Sequence, residues 1–233
     1  MLIELGAGAA CAAGVLAYGV RGRSSQLFGP SVWRGRRDRR TVALTFDDGP
    51  SETTPRFLEL LAGYGVPATF FLCGQNVDRL PQVAREIAAA GHEVGNHSYS
   101  HARFDFKSAR FIEDELRRAQ DVIAAATGVR PALFRAPYGV RWFGLRAAQR
   151  KLNLLGVMWT VVARDWRLPS RQIAARLTRG AGNGAIFCLH DGRLTAERPE
   201  VSAALEATRE IVPLLLDRGF AFGTVSGIIG SRK

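Results

Sequence analysis

Apolar and polar positions along this chain change period repeatedly, and the changes mark out its elements. From residue 42 onward, short apolar runs of strand length alternate with stretches that repeat every three to four residues. The runs predict strands at 42–46, 68–72, 93–96, 132–135, 155–160, 185–189 and 221–224. Between them the longer period predicts helices near 54–63, 81–90, 108–127, 143–152, 170–179 and 199–218. It is clearest where Ile112, Leu116, Ala119, Val122, Ile123 and Ala126 fall on one side of a helix. Gly91, Gly128, Gly180 and Gly219 each follow a last periodic residue, the place of a left-handed helix cap. About seven βα units in succession imply a parallel sheet, closed most economically as a barrel.

The first 40 residues do not follow this pattern. Residues 1–20 are apolar apart from Glu4. They predict an N-terminal apolar helix, and an exposed segment so apolar is expected to be a membrane anchor, although it is slightly short of the ~20 residues that span a bilayer. The basic n-region of a secretory signal is lacking. Residues 21–40 show neither period and hold seven arginines and one aspartate, a net +6 of the chain's formal +11. They read as a basic linker lying on anionic lipid head groups. The expected division is thus an anchor at 1–20, a linker at 21–40 and a catalytic domain at 41–233. The arginines follow the apolar segment, which by the positive-inside rule holds the domain in the cytoplasm. A cell-envelope role calls for the opposite side, and the expectation is a membrane-anchored protein with an extracytoplasmic domain. Nucleic-acid binding is not expected, because the basic arm offers only Phe28 and Trp33 for stacking.

Composition adds little beyond this. With 233 residues, 47% hydrophobic and 23% charged, the chain can bury a sizeable core as one α/β domain. Cys11, Cys73 and Cys188 are too scattered for a zinc ribbon or a disulfide framework. Cys73 and Cys188 lie in apolar runs and are expected to be buried free thiols.

In parallel βα folds the working residues stand at the C-terminal ends of strands. The polar, chemically able residues of this chain gather there. Asp47 and Asp48 follow the first strand, His97 the third, and Arg135 to Tyr138 end the fourth. Asp165 lies just beyond the fifth, and His190 with Asp191 follows the sixth. Neighbouring aspartates point to opposite faces of a straight strand, so a break at Gly49-Pro50 is needed to turn both into one cleft. His97 and His101 are four apart and would share one face of a helix, where two imidazoles can hold one ion. With Asp48 as a third ligand they make the open three-ligand arrangement of a hydrolytic zinc site.

Thr45-Phe46-Asp47-Asp48-Gly49-Pro50, His97-Ser98-Tyr99-Ser100-His101, Arg135-Ala136-Pro137-Tyr138, Asp165-Trp166 and Leu189-His190 resemble the five ordered motifs of the polysaccharide deacetylases. These are the NodB-like enzymes, carbohydrate esterase family 4, and the resemblance spans about residues 41–226. It implies a distorted (β/α) barrel of fewer than eight strands and metal-dependent removal of acetyl groups from N-acetylated sugars. It also implies Asp47 as general base and Asp48, His97 and His101 as ligands of a divalent metal. Zinc is the first expectation, with cobalt or another transition metal as alternatives. By the same resemblance the Tyr138 N–H stabilises the oxyanion, Arg135 holds Asp47, and His190 is the general acid with Asp165 as its partner. Pro137, Tyr138, Trp166 and Leu189 fall at substrate-binding positions, Trp166 and Leu189 forming a slot for the acetyl methyl. One position departs from the pattern: Val162 stands where family members often carry an aspartate, which bears on loop hydrogen bonding and substrate preference. His92, at the start of its strand, reads as structural.

Two other readings remain open to the residues. The same centre would also suit another amide, such as a lipid-linked amino sugar or a small cyclic amide. A catalytically silent sugar- or metal-binding domain would be favoured by loss of the base, a ligand or the acid, and none is lost.

Overall fold

The computed structural model describes residues 2–230, with side chains from Cys11 onward. Met1 and residues 231–233, which the expected anchor and domain include, lie outside the described residues. In chain order the elements are α1 (Leu2–Arg21), β1 (Ser31–Val32), β2 (Thr41–Gly49), α2 (Thr54–Gly63), β3 (Thr69–Leu72), α3 (Gly74–Arg79), α4 (Pro81–Ala89), β4 (Glu93–Asn96), α5 (Ala109–Thr127) and β5 (Leu133–Phe134). There follow a single 3-10 turn (Pro137–Gly139), α6 (Leu145–Leu152), β6 (Leu155–Val157), β7 (Val161–Val162), α7 (Ser170–Gly180), β8 (Ala185–His190), α8 (Ser202–Asp217), β9 (Ala221–Phe222) and α9 (Val225–Ile229).

All strand pairs are parallel, in the order β1-β6-β5-β4-β3-β2-β8-β7, with β9 added beside β2. The expected parallel α/β sheet is therefore present, but it curls as an open half-barrel: β1 and β7 end the path and do not pair with each other among the described residues. The reason is local. Beyond Val157 the chain leaves the sheet, so the strand expected at 155–160 ends at Val157, and the two-residue β7 begins only at Val161.

Strand alternation sorts the side chains into two layers. Val42, Leu44 and Phe46 of β2 join Phe70, Phe187 and Leu189 in the large core under the helices. Ala43, Phe71, Val157 and Ile186 face the inside of the curl, where Val225 and Ile228 of α9 close its lower end. Gly91, Gly128 and Gly219 have left-handed φ of 79°, 72° and 75°, as expected of helix caps. Gly180 instead is the last residue of α7, pressed against Val161, where an added Cβ would meet Val161 Cγ2 at 2.2 Å.

The N-terminal 40 residues differ from expectation. No helix among the described residues is long and apolar enough to cross a membrane. Nor do residues 21–40 hang free. Ser31 and Val32 pair with Gly156 and Val157 as an edge strand, and Phe28 is buried beside Trp142 and Phe143. Several arginines are tied to the domain rather than held out to a surface. Arg23 donates to the Thr160 carbonyl at 2.8 Å, Arg34 to that of Asn183 at 3.0 Å, and Arg40 lies over the Phe220 ring. Conversely, buried Arg141 donates to the carbonyls of Ser25 (2.7 Å) and Gly22. A chain beginning at Thr41 would remove the hydrogen bonds of that guanidinium, uncover the Trp142 and Phe143 rings that Phe28 packs on, and strip the β6 edge. It is expected to be less stable than the full chain by about 3 kcal/mol or more, read from urea midpoints.

Candidate active site

The site is built at the upper rim of the curl, and β2 supplies its first two groups. Alternation puts Ala43, Thr45 and Asp47 on the inner face. Asp48 should then point outward, but its backbone takes a left-handed φ of 70°, and the β2–β3 register slips between Asp47 and Gly49. Both carboxylates therefore enter one cleft. The re-aiming occurs at Asp48 itself, one residue before the expected break. A non-glycine residue holds such a φ only when its surroundings over-determine it. Here Asn76 Nδ2 donates to the Asp48 carbonyl at 2.6 Å, and Asp48 Oδ2 accepts from the Leu194 N–H at 2.7 Å. Gly49 is required by close approach, since a Cβ there would lie 2.4 Å from the Asp191 carboxylate.

His97 and His101 reach Asp48 from a bent loop, not a helix. Ser98 and His101 have φ of 65° and 57°. Asn96 Oδ1 accepts from the Ser98 N–H, while the Glu115 carboxylate of α5 accepts from the N–H groups of Tyr99 and Ser100 and from the Ser100 hydroxyl. His97 Nδ1 donates to the Arg135 carbonyl at 2.8 Å, which leaves Nε2 as a lone pair in the neutral ring. Asp48 Oδ1 stands 3.3 Å from His97 Nε2 and 3.0 Å from His101 Nε2, with no donor placed to bond it. Three buried acceptor atoms converging on one point repel one another unless a cation lies between them. The three residues therefore fit a divalent metal.

Arg135, at the end of β5, is wholly buried. Its Nη1 donates to Asp47 Oδ1 and to the Thr45 hydroxyl, both at 2.6 Å, its Nε donates to the Val157 carbonyl, and its plane covers the Phe71 ring. Across the cavity Asp165 binds His190 twice, accepting from its N–H at 2.7 Å and its Nδ1 at 2.8 Å. Burial disfavours the His190 cation, yet Asp165, with Asp48 and Asp47 further off, pushes its pKa up to about 9. Trp166 stands edge-on to His190, half exposed, and Tyr138, with a left-handed φ of 57°, packs on His101 at the rim.

These groups line one cavity of about 580 Å³. Of the residues read from sequence, Asp47, Asp48, His97, His101, Tyr138, Asp165, Trp166 and His190 line it, with Arg135 directly behind Asp47. Leu189 does not. It lies on the helix side of β8, at 0% exposure in the main core, because alternation gives the inner face to Cys188 and His190. Pro137 is likewise buried in the 3-10 turn beneath Tyr138 and is not part of the lining. The apolar wall is formed instead by Trp159, Val162, Cys188, Leu194 and Val201. Val162, the departure from the family pattern, thus sits in the wall itself.

Several groups were missed by sequence reasoning. Asn76, Asn96 and Glu115 shape the loops, and Asp191, placed at its strand end by the sequence but given no role there, is fully buried at the foot of the site. Its Oδ2 accepts from the Thr54 hydroxyl at 2.5 Å, and burial pushes its pKa up to about 7. Counting by twos back from His190 would have put Cys188 in the site; the polar loop residues gave no such signal.

The model of the family described as Polysaccharide deacetylase matches residues 34–157. The chain belongs to that family. Among curated relatives, this deacetylase is 36% identical over 190 residues to a chitooligosaccharide deacetylase of Bradyrhizobium, covering 78% of this chain and 87% of that protein. It is 30% identical over 208 residues to a peptidoglycan-N-acetylglucosamine deacetylase of Bacillus cereus, covering 87% and 73%. The structure of a family 4 carbohydrate esterase from Streptomyces lividans in complex with acetate superposes on the deacetylase with a TM-score of 0.72 at 35% identity, covering 78% of this chain and 91% of that one. The half-barrel is therefore the fold of its relatives.

Proposed function

We propose that the deacetylase hydrolyses the acetamido group of an N-acetylated sugar polymer with a divalent metal held by Asp48, His97 and His101. The observation that carries this is the convergence of those three acceptors beside a buried carboxylate–arginine pair, with a histidine–carboxylate pair facing them. A divalent ion there would polarise the amide carbonyl and make a nearby water more acidic. Asp47, oriented by Arg135, accepts the proton of the attacking water. The Tyr138 N–H donates to the developing oxyanion at the cavity rim. His190, kept protonated by Asp165, gives its proton to the departing amine, which cannot leave as an anion.

Acetate release from a panel of N-acetylated oligosaccharides, with the full chain loaded with zinc or cobalt, tests this reading. The panel should include acidic oligomers, because Arg21, Arg103, Arg164 and Arg193 line the cavity mouth. No release from any of them with metal demonstrably bound would overturn the substrate class.

Two further results are expected. Raised to about 9, the His190 pKa lies above its ordinary value, so the acid form is complete in neutral solution and lost as pH rises through 9. The rate should fall on that side, and Asp165→Asn should move the fall to lower pH. Glu115→Ala should weaken metal binding by about 10–100-fold in a direct titration, since it removes the acceptor that bends the His97–His101 loop.

Work at a cell envelope is part of the same proposal. Residues 11–18 are exposed on every side, which supports association of that apolar stretch with a membrane surface. Sedimentation with anionic vesicles would test it, and a protein that stays in solution would end it.

A further inference from the structure

We propose that Asp47, Cys188 and His190 form a second cation site, selective for thiophilic divalent ions, whose occupation switches the enzyme off. The site follows from strand register. β2 and β8 are parallel, with Thr45 opposite Cys188 and Asp47 opposite His190. Cys188 and His190 are two apart on β8 and share its inner face, so a thiol, an imidazole and a carboxylate meet at one point. Their ligand atoms all lie within 4.8 Å of one another, and Cys188 Sγ is 3.4 Å from Asp47 Oδ2. His190 Nδ1 is taken by Asp165, which leaves Nε2 free to ligate. All three line the cavity, through which an ion can enter and on whose side coordination positions stay open.

The donor set differs from that of Asp48, His97 and His101 by its sulfur. One thiolate, one imidazole and one carboxylate suit zinc and still more cadmium, and give little to magnesium or calcium. Burial and the neighbouring Asp47 keep the free thiol protonated, so only an ion that binds sulfur strongly displaces its proton. The charge balances: one divalent ion enters, one proton leaves Cys188 and one leaves the His190 imidazolium. The net charge of the cavity is unchanged, which allows a second ion to bind although the first is present. Such an ion occupies Asp47 and His190 together, the proton acceptor and donor of the proposed reaction. The inhibitory effect rests on that reading of the reaction; the binding itself does not.

Cadmium titration of the metal-loaded full chain tests the site, in a Cys11→Ser background because Cys11 is exposed. A thiolate-to-cadmium charge-transfer band should grow to one equivalent, with two protons released per ion into weak buffer. It should vanish in Cys188→Ala and in Cys188→Ser, and persist in Cys73→Ala. Acetate release should fall with the same midpoint as the band. In the Cys188 variants that midpoint should rise by more than the roughly 10–100-fold that loss of an outer partner costs. A band that survives both Cys188 substitutions, or cadmium bound without any band, overturns the site. A Cys188-dependent band with undiminished acetate release overturns its inhibitory role. Absence of acetate release before any cadmium is added counts against the proposed function alone, since the band is read independently.

Discussion

Asp47→Asn is expected to lower kcat by about 10²–10⁴-fold while leaving metal content and stability close to those of the parent. The carboxylate is buried, and Oδ1 is committed to Arg135 at 2.6 Å. Asparagine keeps the shape and can still accept from that guanidinium through its amide oxygen, but it cannot take a proton from water. No neighbour replaces it: Cys188 is the nearest candidate, and burial pushes its thiol well above its ordinary value. Asp47 does not belong to the Asp48, His97, His101 cluster, so the first equivalent of metal should bind as in the parent, and only the thiophilic site that Asp47 shares with Cys188 and His190 should weaken. Acetate release and metal content measured on the same sample decide the matter. Loss of activity together with the first equivalent of metal would make Asp47 a ligand of the catalytic ion rather than a base.

Arg135→Met is expected to cost about 3–5 kcal/mol of stability as well as most of the activity. The guanidinium has no exposed surface, and it joins Asp47, Thr45 and the Val157 carbonyl across three strands. Removing it leaves the Asp47 charge buried without its partner, which is the larger part of the penalty. The double variant Arg135→Met with Asp47→Asn has no such stranded charge and should recover about 1–3 kcal/mol relative to simple addition. Urea unfolding of the four proteins measures the coupling. Additive losses would show that Arg135 acts through packing on Phe71 and not through Asp47.

The open form of the sheet matters for both results. Among the described residues β1 and β7 do not pair, and the cavity is walled on one side by loops. Those loops carry Asp165, Trp166, Leu194 and the turn that contains Tyr138.

The succession of elements and the chemical identity of the groups at the strand ends were legible in the residues alone. Apolar period is a local property, written over a few residues, and it sufficed for β2, β3, β4 and β8 and for the longer helices. The motif residues Asp47, Asp48, His97, His101, Arg135, Asp165 and His190 could be named because residue type limits chemistry. Tertiary structure alone decided how they face one another. The left-handed backbone at Asp48 is held by Asn76 and the His97–His101 loop by Glu115, both from other parts of the chain, with Asn96 bonding Ser98 locally. The edge strand β1 and the plug α9 are too short to show a period, and they exist because β6 and the inner core receive them. Leu189 lies in the core instead of the expected slot, and Cys188, a buried free thiol as expected, is the neighbour that faces the cavity. A two-residue repeat fixes that neighbours point opposite ways, but only packing against the helices fixes which of them faces the site.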